Sequence, residues 1–349
     1  MSFPVLYGQT SMKKALVCGG GGFIGGHHIK RLKKEGWWMR AVDLKYPEYS
    51  ESHADEFVIG DLRDPNVVAT VLNEPFDRVY QYAADMGGAG YIFTGENDAD
   101  VMHNSATINL NIAKRSIEVG VGILFYSSSA CIYPERNQMD PNSPNCSEDS
   151  AYPADPDSEY GWEKIFSERM YTAFHRNKGL DIRIARFHNV FGPESAWTGG
   201  REKAPTAICR KVAEAKHGYS MEMWEAGREL NLPYVEIWGD GKQTRSFLYV
   251  DECIEGVERL IASDVREPVN IGSDEMVTIN ELVRMVVELS GVPRIAVNHV
   301  PGPQGVRGRN SDNRMIKDCL GWAPSRPLQE GIGKTFLWVE DQVTKKAKQ

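Results

Sequence analysis

An α/β fold, with a doubly wound parallel sheet followed by a smaller mixed α/β substrate-binding unit, is what this sequence predicts. Three observations carry the prediction. Short apolar runs alternate with amphipathic helical stretches from residue 15 to about 186, the first run stops at four consecutive glycines, and the alternation breaks after Phe187. Alternating strands and helices with short connections make consecutive strands parallel, and helices must then cover both faces of the sheet. A chain of 349 residues is long enough for two such units and a large core.

Residues 15–18 are the first strand, and Phe23, Ile24, His27, His28, Ile29 and Leu32 recur at helical spacing up to Gly36. The second strand, 39–42, ends in Asp43, a third lies near 57–59, and a fourth runs 78–82 into the loop AADMGGAG. A helix over 98–118, a strand at 122–126, a helix over 158–177 and a strand at 181–186 continue the rhythm. Beyond Phe187, Gly192-Pro193, Gly199-Gly200 and Pro205 mark loops. Helical periods return at 251–262, 279–290 and 328–343, with strands at 235–238, 247–250 and 269–271. The expected division is a dinucleotide-binding domain over 12–188, with a returning segment near 243–270, and a substrate domain from 189–242 and 271–343.

Composition narrows the function. Hydrophobic residues at 41% and charged residues at 25% exclude wholesale disorder and a coiled coil. The formal charge is -8, and the dense basic run is Lys345, Lys346, Lys348 at the end, so no nucleic-acid partner is expected. Six cysteines without a C-x-x-C pair argue against a zinc site and a disulfide framework, and fit a reducing, cytoplasmic compartment. No metal site is expected. The N-terminus lacks the order of a secretory signal, and no run of ~18 apolar residues predicts a membrane span. Residues 1–11, before Met12, read as a loose extension.

The segment Gly19-Gly20-Gly21-Gly22-Phe23-Ile24-Gly25 satisfies G-x-x-G-x-x-G between a strand and a helix. Glycine there lets the backbone turn sharply and approach a pyrophosphate, which rests on the free N–H groups of the helix start. The motif alone is weak, because a flexible turn gives the same pattern. Asp43 strengthens it, lying at the end of the second strand, ~20 residues on, where an acid accepts bonds from the adenosine ribose. A carboxylate there repels a 2′-phosphate, so the expected cofactor is NAD on a Rossmann-type domain. Asp61 and Leu62, after the third strand, are placed near the adenine.

Tyr160 and Lys164 stand at i and i+4 and share a helical face. Tyrosine, with a reference pKa of ~10, becomes a base only where cations support its phenolate. A lone Y-x-x-x-K is more often an exposed amphipathic helix, but Ser127-Ser128-Ser129 ends a strand upstream and offers a hydroxyl to the same substrate oxygen. Trp162, inside the spacer, is assigned to packing. Cys131, two residues after Ser129, points the same way on an extended strand and reads equally as a small buried residue or a general base. Lys203, in the Gly-rich stretch 199–205, reads as a solvated loop lysine or as a group facing the cleft.

Taken together, Gly19–Gly25, Asp43, SSSACIYP and Tyr160/Lys164 resemble the extended short-chain dehydrogenase/reductase family of nucleotide-sugar enzymes. RFHNVFGP, QTRSF and VRGRNSD extend the likeness over nearly the whole chain. The resemblance implies NAD, a GDP-sugar substrate and a homodimer through two helices of the nucleotide domain. It also implies inversion at sugar C3 and C5 through a transient 4-keto species. Catalysis would fall to Tyr160, Lys164 and Ser129, with Cys131 and Lys203 as an acid–base pair on opposite faces of the sugar. Met86, Gly87, Gly88, Ser128, Asn189, Gln243, Arg245 and Arg309 are the expected substrate contacts, the arginines toward the diphosphate, though each is equally a structural residue on sequence alone. Residues 214–236 hold two candidates for one strand, MEMW and VEIW, near the expected guanosine end. Two alternatives stay open: another nucleotide-sugar epimerase, including one that uses NADPH with a histidine and cysteine pair, and a non-catalytic NAD-binding sensor. The acidic Asp43 and Lys203 weigh against the former.

Overall fold

The computed structural model describes residues 12–218, 233–302 and 305–348. The first half runs β1 (Lys14–Cys18), α1 (Phe23–Lys34), β2 (Trp38–Asp43), β3 (Glu56–Ile59), α2 (Pro65–Val71), β4 (Arg78–Gln81), α3 (Ala89–Ile92), α4 (Asp98–Val119), β5 (Ile123–Ser129), α5 (Glu159–Lys178) and β6 (Ile182–Phe187). Next come β7 (Val190–Phe191), α6 (Ala204–Lys216), β8 (Tyr234–Trp238), β9 (Thr244–Ser246), β10 (Leu248–Tyr249), α7 (Val250–Ile261) and β11 (Val269–Ile271). The chain closes with β12 (Met276–Thr278), α8 (Ile279–Ser290), β13 (Ala296–Val300), β14 (Gly308–Arg309), α9 (Arg314–Leu320) and α10 (Leu328–Lys346).

Seven strands form one parallel sheet in the order β11-β6-β5-β4-β1-β2-β3. The order reverses between β1 and β4, and in such sheets that reversal opens a crevice at the carboxyl ends of the strands. Successive side chains of β1 enter opposite layers: Ala15 and Val17 join Ile29, Met39 and Phe125, while Leu16 and Cys18 join Val42, Ile112 and Tyr171. Burial on both faces is why residues 15–18 read as an unbroken apolar run. The remaining strands make a three-stranded sheet, β12-β9-β14, and the pairs β13-β8 and β10-β7. The return of β11 to the main sheet ties the later half of the chain to the first.

Helix ends follow local chemistry. Ser158 caps α5, accepting from the Gly161 N–H at 3.4 Å, and Gly179 ends it in the left-handed region at φ 74. Thr278 and Glu281 form a capping box at α8. Several elements escape the sequence reading. Pro205 reads as a loop marker, yet α6 begins at Ala204, because Pro205 lies in the first turn, where proline is tolerated. The short α2, behind its Asp64 cap, and α9 offer too few turns for a period to register. The strand expected at 247–250 stops at Tyr249, and Val250 opens α7.

Two further expectations are corrected. Trp162 is not packing: it is 40% exposed, as are its helical neighbour Phe166 and Leu110 of α4 to a similar degree. The face of α5 carrying Tyr160 and Lys164 is the buried one, so the spacer residue between them turns outward. Cys131 does not continue an extended strand. The chain turns into a single 3-10 turn at Ala130–Ile132, and the Ser129 hydroxyl caps it by accepting from the Cys131 N–H at 3.2 Å. Of the two candidate strands in 214–236, VEIW forms β8, and MEMW lies outside the described residues.

Candidate active site

A cleft of about 1130 Å³ runs along the carboxyl ends of the central strands. It exceeds the ~300–1,000 Å³ usual for one ligand, which leaves room for a dinucleotide beside a second molecule. One end is lined by Gly19, Gly22, Phe23, Ile24, Gly25, Asp43, Asp61 and Leu62. Gly19 has φ 82, and a Cβ there would stand 2.9 Å from the Ala83 nitrogen, so only glycine fits. The first turn of α1 has no side-chain cap and no acidic residue, which leaves its N–H groups for an anion. Asp43 accepts from the N–H of Gly21 at 2.9 Å and of Leu44 at 2.7 Å. Burial pulls its pKa up against the backbone hydrogen bonds it accepts from Leu44, Gly21 and Lys45. Asp61 is held below the usual carboxylate range by Arg63, 2.6 Å away. The residues present fit a dinucleotide with an unphosphorylated adenosine ribose.

At the middle of the cleft stand Ser129, Cys131, Tyr160 and Lys164. Lys164 is 2% exposed, donates to the Ser127 carbonyl at 3.0 Å and lies 5.6 Å over the Tyr160 ring. Burial drives the Tyr160 phenol well up and the Lys164 amine down, while contact with the Ser129 hydroxyl pulls the tyrosine back. A phenol so placed is neutral until further positive charge arrives beside it. Cys131 acts electrostatically on Tyr160, Lys164 and Lys203, so these four groups share one space.

The cleft wall also includes Met86, Gly87, Asn189, Lys203, Gln243, Arg245 and Arg309. Lys203 is the N-cap residue of α6 rather than a free loop lysine, and it reaches across to the Gly87 carbonyl at 3.3 Å. Burial lowers its pKa, which suits an amine that gives and takes a proton. Gln243 donates to the Trp238 carbonyl at 3.3 Å, and its Oε1 is left without a hydrogen-bond partner. Asn189, at φ 46, donates to the Ser246 carbonyl at 3.0 Å. Arg245 donates to the carbonyls of Thr244 and Val306, both at 2.7 Å.

Three expected contacts are placed differently. Gly88 is off the cleft wall and packs against the 200–202 backbone, where a Cβ would meet the Gly200 and Glu202 carbonyls at 3.0 Å. The Ser128 hydroxyl is committed to Glu168 at 2.5 Å, in a buried network that includes Arg186, Tyr133 and Asn270. Arg309, expected on the diphosphate, turns onto the Cys131 Sγ at 3.1 Å and the Gln138 Oε1 at 2.5 Å. Residues absent from the sequence reading also line the site, including Asp85, Arg201 and Asp157. Asp157 had a signal available, since it stands immediately before Ser158, the cap of the helix that carries Tyr160.

The NAD dependent epimerase/dehydratase family matches residues 15–272. GDP-mannose 3,5-epimerase of Arabidopsis thaliana is 43% identical over 341 residues, covering 97% of this chain and 85% of that protein. GDP-mannose 3,5-epimerase 1 of Oryza sativa subsp. indica is 42% identical over 345 residues, with 98% and 86% covered. In fold, UDP-glucose 4-epimerase of Thermotoga maritima, solved with UDP-glucose, superimposes with a TM-score of 0.79 at 23% identity, covering 95% of this chain and 99% of that one. A glycine-rich strand–helix turn, an acid at the end of β2 and a buried tyrosine–lysine pair, with this likeness along the chain, have one explanation: the chain belongs to the NAD dependent epimerase/dehydratase family.

Proposed function

We propose that this protein inverts GDP-D-mannose at C3 and C5 to give GDP-L-galactose, with inversion at C5 alone giving GDP-L-gulose. The observation that carries the reading is that Cys131 and Lys203, two groups able to exchange protons, line the same cleft as Ser129, Tyr160 and Lys164. A simple dehydrogenase has no use for that pair. The relatives bearing the name GDP-mannose 3,5-epimerase support the substrate.

The chemistry follows from carbon acidity. A C–H beside an alcohol carbon does not exchange at neutral pH, whereas oxidation of C4 to a ketone makes H3 and H5 enolisable. Bound in the glycine-rich end of the cleft, NAD would supply a reversible hydride acceptor for C4. Gly19, Gly22, Phe23, Ile24 and Gly25 would hold its pyrophosphate, Asp43 the ribose, and Asp61 and Leu62 the adenine. Tyr160 takes the C4 hydroxyl proton, Ser129 holds that oxygen, and Lys164 supports the phenolate. Cys131 removes a proton from one face of the keto sugar, and Lys203 returns one from the other. Met86, Gly87, Asn189, Gln243 and Arg245 bind the sugar nucleotide, within a substrate domain formed by 189–242 and 271–343.

The protein works as a homodimer through α4 and α5, where Leu110, Trp162 and Phe166 are exposed together on two packed helices. A cytoplasmic location agrees with six free cysteines. No helix among the described residues is long and apolar enough to cross a membrane.

Proton NMR of GDP-D-mannose in D2O with purified protein tests the reaction. Loss of the H3 and H5 signals with new sugar spin systems is expected, without added cofactor if NAD copurifies. No exchange even with NAD supplied rejects this substrate and favours a different nucleotide sugar or a sensor.

A further inference from the structure

Asp157 stands just before Ser158, the cap of α5, and its carboxylate is 7% exposed within the cleft wall. Neither of its oxygens has a hydrogen-bond partner. Arg309 Nη2 lies 3.5 Å from it and is likewise without a hydrogen-bond partner. The rest of that guanidinium is braced, Nη1 on the Cys131 sulfur and Nε on Gln138. Asp157 therefore faces a cation held in place by other groups, too far for a good hydrogen bond, and its acceptor positions are unfilled. A buried carboxylate in that state is costly unless a ligand fills it, and an acceptor-only group calls for a donor.

We propose that Asp157 is a specificity-determining residue whose carboxylate accepts a hydrogen bond from a hexose hydroxyl on a carbon that does not react, C2 or C6. The proposal rests on the sugar-nucleotide reading above. Cys131, Tyr160 and Lys203 serve C3, C4 and C5, so the hydroxyls next outward along the ring are those at C2 and C6. Arg309 links the Asp157 side of the wall to the Cys131 side, so the same contact seats the ring against the thiol. Oxygen lone pairs unfilled on the wall then become a test of hydroxylation pattern next to the reacting carbons.

The experiment compares the full-length protein with Asp157→Ala and Asp157→Asn, measuring kcat and KM for GDP-D-mannose and its 2-deoxy and 6-deoxy analogues. Asp157→Ala is expected to raise KM for the parent sugar by about 10- to 100-fold, the range for a hydrogen bond to a charged group, with kcat changed far less. Asp157→Asn, which keeps one acceptor and the volume, is expected in between. One deoxy analogue should be penalised in the natural protein and suffer no added penalty in Asp157→Ala. If neither analogue is penalised in the natural protein, the proposal is overturned without recourse to a variant that might misfold. It is overturned equally if KM stays unchanged in both variants while only the melting temperature falls. Failure of the natural protein to convert GDP-D-mannose would instead remove the substrate reading, and this proposal with it.

Discussion

Tyr160 and Cys131 line one cleft, and the proposed mechanism gives them different steps, so their variants should fail differently. Tyr160→Phe keeps the ring but removes the proton acceptor, and kcat is expected to fall by about 10²- to 10⁴-fold. Deuterium uptake should vanish with it, because nothing is acidified. Cys131→Ala leaves Tyr160, Ser129 and Lys164 in place, so transient reduction of the cofactor, read by its absorbance, should persist while exchange at H3 and H5 is lost. Equal loss of both signals in Cys131→Ala would show that the thiol acts before carbon acid chemistry begins. Much of this was readable along the chain, since Tyr160 and Lys164 are related by a helix repeat. The seating of Cys131 was not, because a hydroxyl capping a 3-10 turn at the strand end replaces the extended geometry that a two-residue spacing suggests.

At the level of elements, α5 does two jobs with two faces. Its inner face holds Tyr160 and Lys164 under the cleft, and its outer face exposes Trp162 and Phe166. Large apolar groups left in water beside one another support the proposed dimer contact on this face. Replacing both, Trp162→Glu with Phe166→Glu, is expected to convert a dimer to a monomer in sedimentation velocity, since two unpaired carboxylates per copy would have to be buried. A species unchanged in mass would refute the interface. The helix itself is legible from its Ser158 cap and Gly179 stop. The outward turn of Trp162 is not, because a tryptophan between two inward residues reads as core until the neighbouring helix is placed. The helix α6 escaped notice for the opposite reason: glycines and a proline before it look like loop, although the proline marks its first turn.

On the scale of the whole molecule, buried ionisable groups tie distant segments together and set the response to acid. Glu258 of α7 bonds to His28 of α1 at 2.9 Å, to Tyr80 of β4 at 2.7 Å and to Arg78 at 2.7 Å. Burial alone would raise its pKa, yet those partners hold it at about 2, below the 4.5 of a free glutamate. A depressed carboxylate contributes stability that is present above pH 4.5 and lost as pH falls toward 2. His188, fully buried, is lowered from 6.5 to about 4 chiefly by burial, so its neutral form is favoured and its contribution is lost between those values as pH falls. Urea unfolding should therefore give a plateau above pH 6.5 and a steady decline below it. In Glu258→Gln the added loss between pH 4.5 and 2 should disappear. An unchanged acid limb in that variant would mean that the Glu258 cluster does not report on folding.

The sequence by itself determined the strand, glycine turn and helix of residues 14–34, the acid that ends β2, and the tyrosine–lysine face of α5. These are relations over one or two turns, or across a single strand–helix unit, where spacing and residue type fix geometry. Only the tertiary structure decided that Lys203 meets the Gly87 carbonyl 116 residues away, and that Arg309 turns onto Cys131 across 178 residues. It also decided that the Ser128 hydroxyl is consumed by Glu168, and that Asp157 is left with its oxygens unfilled at the cleft. Such outcomes depend on where the smaller sheets and α6 come to rest against the main one, and no local pattern encodes that. Periodicity reports which face of an element is buried, whereas the partner on that face is set by the packing of elements remote in the chain.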